Sequence, residues 1–128
     1  MTDPTAGYAE DVMARLSTYL GWKLYVIDTR PVDAELERTL IAEHLDHQVD
    51  LERRGILFAA GPLRDSTGTR VAGLIIIRAT SLDDAQQIAD ADPMHRGGAR
   101  TYTIHAWTVN EGGLEVRVQF SDQSARIR

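Results

Sequence analysis

A chain of 128 residues has room for one domain of ordinary size, and 43% hydrophobic with 26% charged residues excludes the low-hydropathy composition of disordered chains. The net charge of -5, with Lys and Arg spread along the chain, leaves no basic footprint for nucleic acid. Without cysteine there is no disulfide framework, thiolate nucleophile or Cys-ligated zinc, which suits a reducing compartment and points to the cytoplasm.

Residues 1–7 are polar and include Asp3 and Pro4, unlike the cationic start and apolar run of a secretory signal. The longest apolar run, residues 74–77, is strand-sized and far below the ~18–20 residues of a membrane span, so a soluble protein is predicted. In residues 8–20, Val12, Met13, Leu16, Tyr19 and Leu20 recur at helical spacing, and Gly21 is a natural stop. Residues 22–28 are aromatic and β-branched and end before Arg30-Pro31, predicting a first strand.

Asp33 can cap a long helix to about Arg54, with Leu36, Leu40, His44, His47 and Leu51 along one stripe and Gly55 as its stop. Glu35, Glu37, Glu43, Asp46, Glu52 and Arg53 fall mostly off that stripe, toward solvent. Residues 56–63 and 70–79 read as a hairpin around the turn residues Asp65-Ser66-Thr67-Gly68. Ser81, three residues before Asp84, approximates a capping box and opens a second core helix to about Asp90. Pro93 and Gly97-Gly98 predict a loop, residues 101–109 a fourth strand, and the alternation of Leu114, Val116, Val118 and Phe120 a fifth, with residues 121–128 fraying.

The order is βαββαβ behind an added N-terminal helix, an α+β ferredoxin-like sheet with helices on one face. The other face calls for burial by a second subunit, so a homodimer or a higher homo-oligomer is expected. The predicted partition is an N-terminal helical extension over residues 1–21, the ferredoxin-like domain over 22–112, and a C-terminal strand and tail over 113–128 packed on it.

His44 and His47 share a helix face, which fits equally a pair of partly buried structural histidines and a proton-handling site. Glu43, His44, His47 and His95 are metal-ligand types, but no third and fourth ligand stand at a recognisable spacing and HExxH is absent, so no metal is expected. Asp92, before Pro93, can cap a turn; Arg64, at a strand end, can be a solvated turn residue or an anion clamp. No phosphate-binding glycine loop or GxSxG elbow is present, which leaves proton chemistry or small-molecule binding without an organic cofactor.

Four short motifs in order, Glu43-His44-Leu45, Gly55 eleven residues after the histidine, Gly61-Pro62-Leu63, and Ala89-Asp90-Ala91-Asp92-Pro93, precede Trp107 near a strand end. Across about residues 24–112 the chain thereby resembles the YciI-like (YCII-related) family of the dimeric α/β-barrel superfamily, similar in architecture to muconolactone isomerase. The resemblance implies an active-site dyad of His44 and Asp92, with His47, Arg64, Met94 and His95 as candidate substrate contacts. It implies isomerase, lactone or elimination chemistry on a small cyclic or aromatic compound, since relatives include a dehydrochlorinase of chlorinated hydroxyquinols; a non-catalytic ligand-binding module is the alternative. Two positions depart from the pattern: Ile41 stands where relatives often carry arginine, and Met94 where an aromatic residue commonly follows the Asp-Pro pair.

Overall fold

The computed structural model describes residue 3 and residues 6–127, so the reading of residues 1–7 lies largely outside the described residues, as does the last residue of the tail. Chain contacts divide the protein into two compact units, one made of the two ends up to Trp22 and from Val109, the other Lys23–Thr108. Among the described residues no helix is long and apolar enough to cross a membrane.

The larger unit carries a four-stranded sheet in the order β2-β3-β1-β4, built from β1 (Trp22–Pro31), β2 (Leu57–Arg64), β3 (Arg70–Ile77) and β4 (Arg100–Val109). With α2 (Ala34–Arg53) between β1 and β2, and α3 (Leu82–Asp90) between β3 and β4, this is the expected α+β ferredoxin-like arrangement. Strand β3 pairs antiparallel with both β1 and β2, placing Val26 opposite Ile76 and Ala60 opposite Ile75. Because side chains alternate, Ile27, Ile75 and Ile77 point to the face covered by Ala85 and Ala89 of α3, whereas Val26, Leu74 and Ile76 take the other face and keep partial exposure. The small pair Ala85 and Ala89, four apart, lets α3 lie close on the isoleucines.

The helix ends follow from local chemistry. Asp33 accepts from the Glu35 and Leu36 N–H groups at 3.1 and 3.0 Å and starts α2. Gly55 ends it with φ +74, and the Ile56 N–H closes on the Leu51 carbonyl. The Ser81 hydroxyl accepts from the Asp84 N–H, while the Asp84 carboxylate accepts from the Thr80 N–H and hydroxyl, one residue before the N–H that a capping box uses.

Several expectations are corrected. The first helix, α1, spans only Glu10–Leu16, since the Ser17 and Thr18 hydroxyls bond the Ala14 and Arg15 carbonyls and compete with the helical ladder. The stretch expected as a loop after Asp92 holds a one-turn helix, α4 (Pro93–Arg96), with Asp92 as its cap and Pro93 in its first turn. The fifth strand shortens to β5 (Val116–Val118) and pairs not with the main sheet but with β6 (Ala125–Ile127), in a tail expected to fray. The Asp122 carboxylate, accepting from the Ser124 N–H, ties the turn that makes this local pairing available.

The largest correction concerns α2. Its buried residues are Glu37, His44, Gln48 and Leu51, so the inward face is rotated by roughly half a residue step (~50°) from the leucine stripe. Leu36 is left 38% exposed while Glu37 is only 7% exposed. The cause is electrostatic: Arg70 and Arg100 both reach the Glu37 carboxylate and compensate its burial.

Candidate functional site

At the middle of α2 the imidazole of His44 lies against Asp92, whose Oδ1 and Oδ2 stand 2.9 and 3.0 Å from Nδ1. Asp92 is placed by its own backbone duty: as cap of α4 it accepts the Met94 N–H at 2.9 Å, which fixes the carboxylate's direction. Gln48, one turn beyond His44, adds a contact from Nε2 to Asp92 Oδ2 at 3.4 Å. Burial by itself raises the carboxyl pKa of Asp92, but the His44 hydrogen bond and charge, the Met94 N–H and His95 together bring it below the ordinary 3.8. An ionised carboxylate only accepts, so His44 donates through Nδ1–H and its neutral tautomer carries the lone pair on Nε2. Among the described residues nothing hydrogen-bonds that nitrogen.

His44 lines a cleft of about 460 Å³ between α2 and the β2–β3 hairpin. Ile41, Leu45 and Val49, four apart on α2, supply one apolar wall; Leu57, Pro62 and Ile75 belong to the other. Thr29, Gln48 and Glu52 add polar groups, and Arg64, Arg70 and Arg100 add three cations. Glu37 binds two of these: Arg70 by a two-pronged contact at 3.1 and 2.5 Å, and Arg100 Nε at 2.5 Å. Burial pushes the Glu37 pKa up, but the two guanidiniums outweigh it and hold the carboxyl below 4.5.

Residues 23–108, two thirds of the chain and the whole of this site, match the YCII-related domain. The chain belongs to this family. A YCII-related relative in Bacillus subtilis (strain 168), the uncharacterized protein YjpA, is 32% identical over 71 residues, which cover 56% of this chain and 79% of YjpA. The solved structure of 5-chloro-2-hydroxyhydroquinone dehydrochlorinase from Burkholderia phenoliruptrix AC1100, in complex with 2,5-dihydroxybenzoquinone, superposes with a TM-score of 0.55. At 22% identity, over 66% of this chain and 92% of that one, the likeness shows a shared fold.

Of the residues singled out in the sequence, His44 and Arg64 line the cleft, Asp92 is buried behind His44, and His47, Met94 and His95 stand outside the lining. Arg64 lines the cleft and donates to the Gly68 carbonyl at 3.1 Å. Met94 is 0% exposed, a core side chain with no surface for a ligand. His95 is also displaced from the expected role. Its Nδ1–H donates to the Ala89 carbonyl at 2.7 Å, its Nε2 stands 2.8 Å from the Thr29 hydroxyl, and its ring packs on Tyr102 beside a separate, shallower depression. His47 is half-buried outside the cleft lining, with its Nε2 unpartnered among the described residues; burial holds its pKa below 6.5. Among the described residues no three His, Asp or Glu side chains gather as metal ligands.

Gln48, Glu37, Arg70 and Arg100 were not singled out as site residues. One signal was available: Glu37 and His44 are seven apart, and Gln48 and Leu51 continue the same face, so a polar stripe competed with the leucine stripe. Arg70 and Arg100 carry no such signal, because only the folded sheet brings their two strands to Glu37.

Proposed function

We propose that this YCII-related protein is an enzyme that moves a proton on a small cyclic or aromatic compound, with His44 as general acid and base and Asp92 orienting it. The observation that carries the proposal is the pairing of an Asp92-anchored Nδ1–H with an Nε2 left free on a residue that lines a mostly apolar cleft. In an elimination from a hydroxylated ring, Nε2 moves a hydroxyl proton to the ring carbon that carries the leaving group, giving the keto tautomer; removal of a second hydroxyl proton sends that O–H electron pair through the ring as a new C=O and C=C, and the leaving group departs with its own pair. In an isomerisation the same nitrogen takes a proton from one carbon and returns it at another. Asp92 stabilises the imidazolium between the two steps.

The reaction printed for the structurally similar dehydrochlorinase supports elimination as the first chemistry to test. The reading requires no metal or organic cofactor. Chloride release from 5-chloro-2-hydroxyhydroquinone by the wild-type protein, lost in His44→Ala, is the expected result; a ring compound turned over equally by His44→Ala would falsify the assignment. The reading includes a homodimer, supported by the partial exposure of Val26, Leu74 and Ile76 on the sheet face away from α3, and checked by sedimentation velocity at micromolar protein. The cysteine-free composition supports work in a reducing compartment such as the cytoplasm.

A further inference from the structure

Arg100 is largely enclosed yet only half used. Its side chain keeps 10% of its exposure, Nε is committed to Glu37, and among the described residues neither Nη atom has a hydrogen-bond partner. Arg70, bound to the same carboxylate through both its Nη atoms, leaves Glu37 with two guanidiniums and the cluster with a net positive charge. Both arginines line the cleft that His44 lines, and Arg64 stands in the same lining. The opposing acid there is Glu52, exposed on the last turn of α2 and without a salt bridge to these arginines. Arg100 also lines the shallower depression beside Asp90, whose carboxylate already accepts from the Tyr102 hydroxyl.

We propose that the cleft binds a ring compound bearing an anionic oxygen group, a carboxylate or an enolate-type oxygen, and that the free Nη edge of Arg100, positioned by Glu37 and supported by Arg70, receives it. The apolar walls formed by Ile41, Leu45, Val49 and Ile75 take the ring. A guanidinium held at Nε by one carboxylate presents its Nη pair to a second in a fixed plane, which makes Arg100 an oriented donor. For the reaction, a cation at this position also favours negative charge accumulating on a substrate oxygen as His44 withdraws a proton. The inference rests on the proton-transfer reading for that consequence alone; the binding itself is measured without turnover.

Benzoate and benzamide share a shape and differ in charge, so their dissociation constants, followed by backbone and imidazole NMR shifts of the intact protein, form the test. Benzoate is expected to bind at least about ten-fold more tightly than benzamide, with shifts at His44, and Arg100→Gln is expected to weaken benzoate by about ten- to hundred-fold while leaving benzamide unchanged. Arg100→Lys, which keeps the charge but not the fork, should retain part of the preference, and Arg53→Gln, exposed near the end of α2 and outside the cleft lining, serves as a surface control. Equal affinity for the two probes, no measurable binding of either, or a preference that survives both Arg100→Gln and Arg70→Gln overturns the proposal. Should Arg100→Gln fail to fold, the wild-type probe comparison still decides. Benzoate preference retained in a His44→Ala protein of full activity would sink the proton-transfer reading and leave the anion site standing; loss of the preference with His44-dependent turnover would do the reverse.

Discussion

Asp92 meets the Nδ1 of His44 with both carboxylate oxygens, at 2.9 and 3.0 Å, across 48 residues of sequence. An asparagine at this position offers one oxygen and one amide, and the amide opposes the Nδ1–H tautomer. Asp92→Asn is therefore expected to lower kcat by at least about a hundred-fold with a near-native circular dichroism spectrum, on the general acid-base share of such reactions. Full kcat in this variant would show that the carboxylate does not orient the base.

Acid should weaken the fold in two stages. His47 and His95 have pKa values pushed below 6.5 by burial, so as pH falls from 6.5 the unfolded chain takes up protons before the native one and stability drops. Glu37 and Asp92 have values held below 4.5 and 3.8 by their partners; their contribution is complete above those figures and is lost as pH falls through the lower native values. Urea midpoints stepped from pH 7.5 to 3 should decline throughout. His47→Leu should flatten the upper part and Glu37→Gln the lower. A midpoint that rises between pH 6.5 and 5 would contradict the buried, neutral imidazoles.

Removing the Glu37 carboxylate leaves two guanidiniums facing each other, one of them nine-tenths buried. Glu37→Ala should cost about 3 kcal/mol in chemical denaturation, the low end for breaking a buried pair because Arg70 is partly solvated. Adding Arg100→Met to Glu37→Met should recover part of the loss, since an apolar pair removes the uncompensated charge. Additive losses would argue against coupling.

Gly97 sets how closely α4 approaches α2. A Cβ there would come within 2.6 Å of Leu40 Cδ1 and 2.9 Å of the Pro93 carbonyl oxygen. The leucine can swing aside, but the carbonyl belongs to the turn that Asp92 caps. Gly97→Ala should lower stability by about 1–3 kcal/mol and displace Asp92 from His44, read as a changed His44 Nδ1–H resonance. An unchanged resonance with full stability would show that α4 has room to spare.

Sequence patterns carried the fold because its signals are local: Asp33, Gly55 and Ser81 act on their own neighbours, the aromatic and β-branched run of β1 favours an extended chain, and Asp65 to Gly68 turn β2 into β3. They failed where the deciding partner is distant. Glu37 reads as a solvent-facing acid until Arg70 and Arg100 arrive from two strands, and the rotation of α2 follows from that pairing. His44 and Asp92 were legible as a pair only through family resemblance, since nothing in their spacing says that a one-turn helix would carry Asp92 to α2. Met94 and His95, adjacent to Asp92, were misplaced because a helical turn sends neighbouring side chains in different directions.

The 48-residue separation of His44 and Asp92 has a kinetic meaning as well. Their contact closes a loop containing the whole β2–β3 hairpin and α3, so its entropy cost is met only after those local pieces have formed. During refolding from urea, far-ultraviolet signal should return before the His44 imidazole resonance does. The dyad would then be a reporter of the last docking step, and a partly folded chain would be silent in any assay that depends on it.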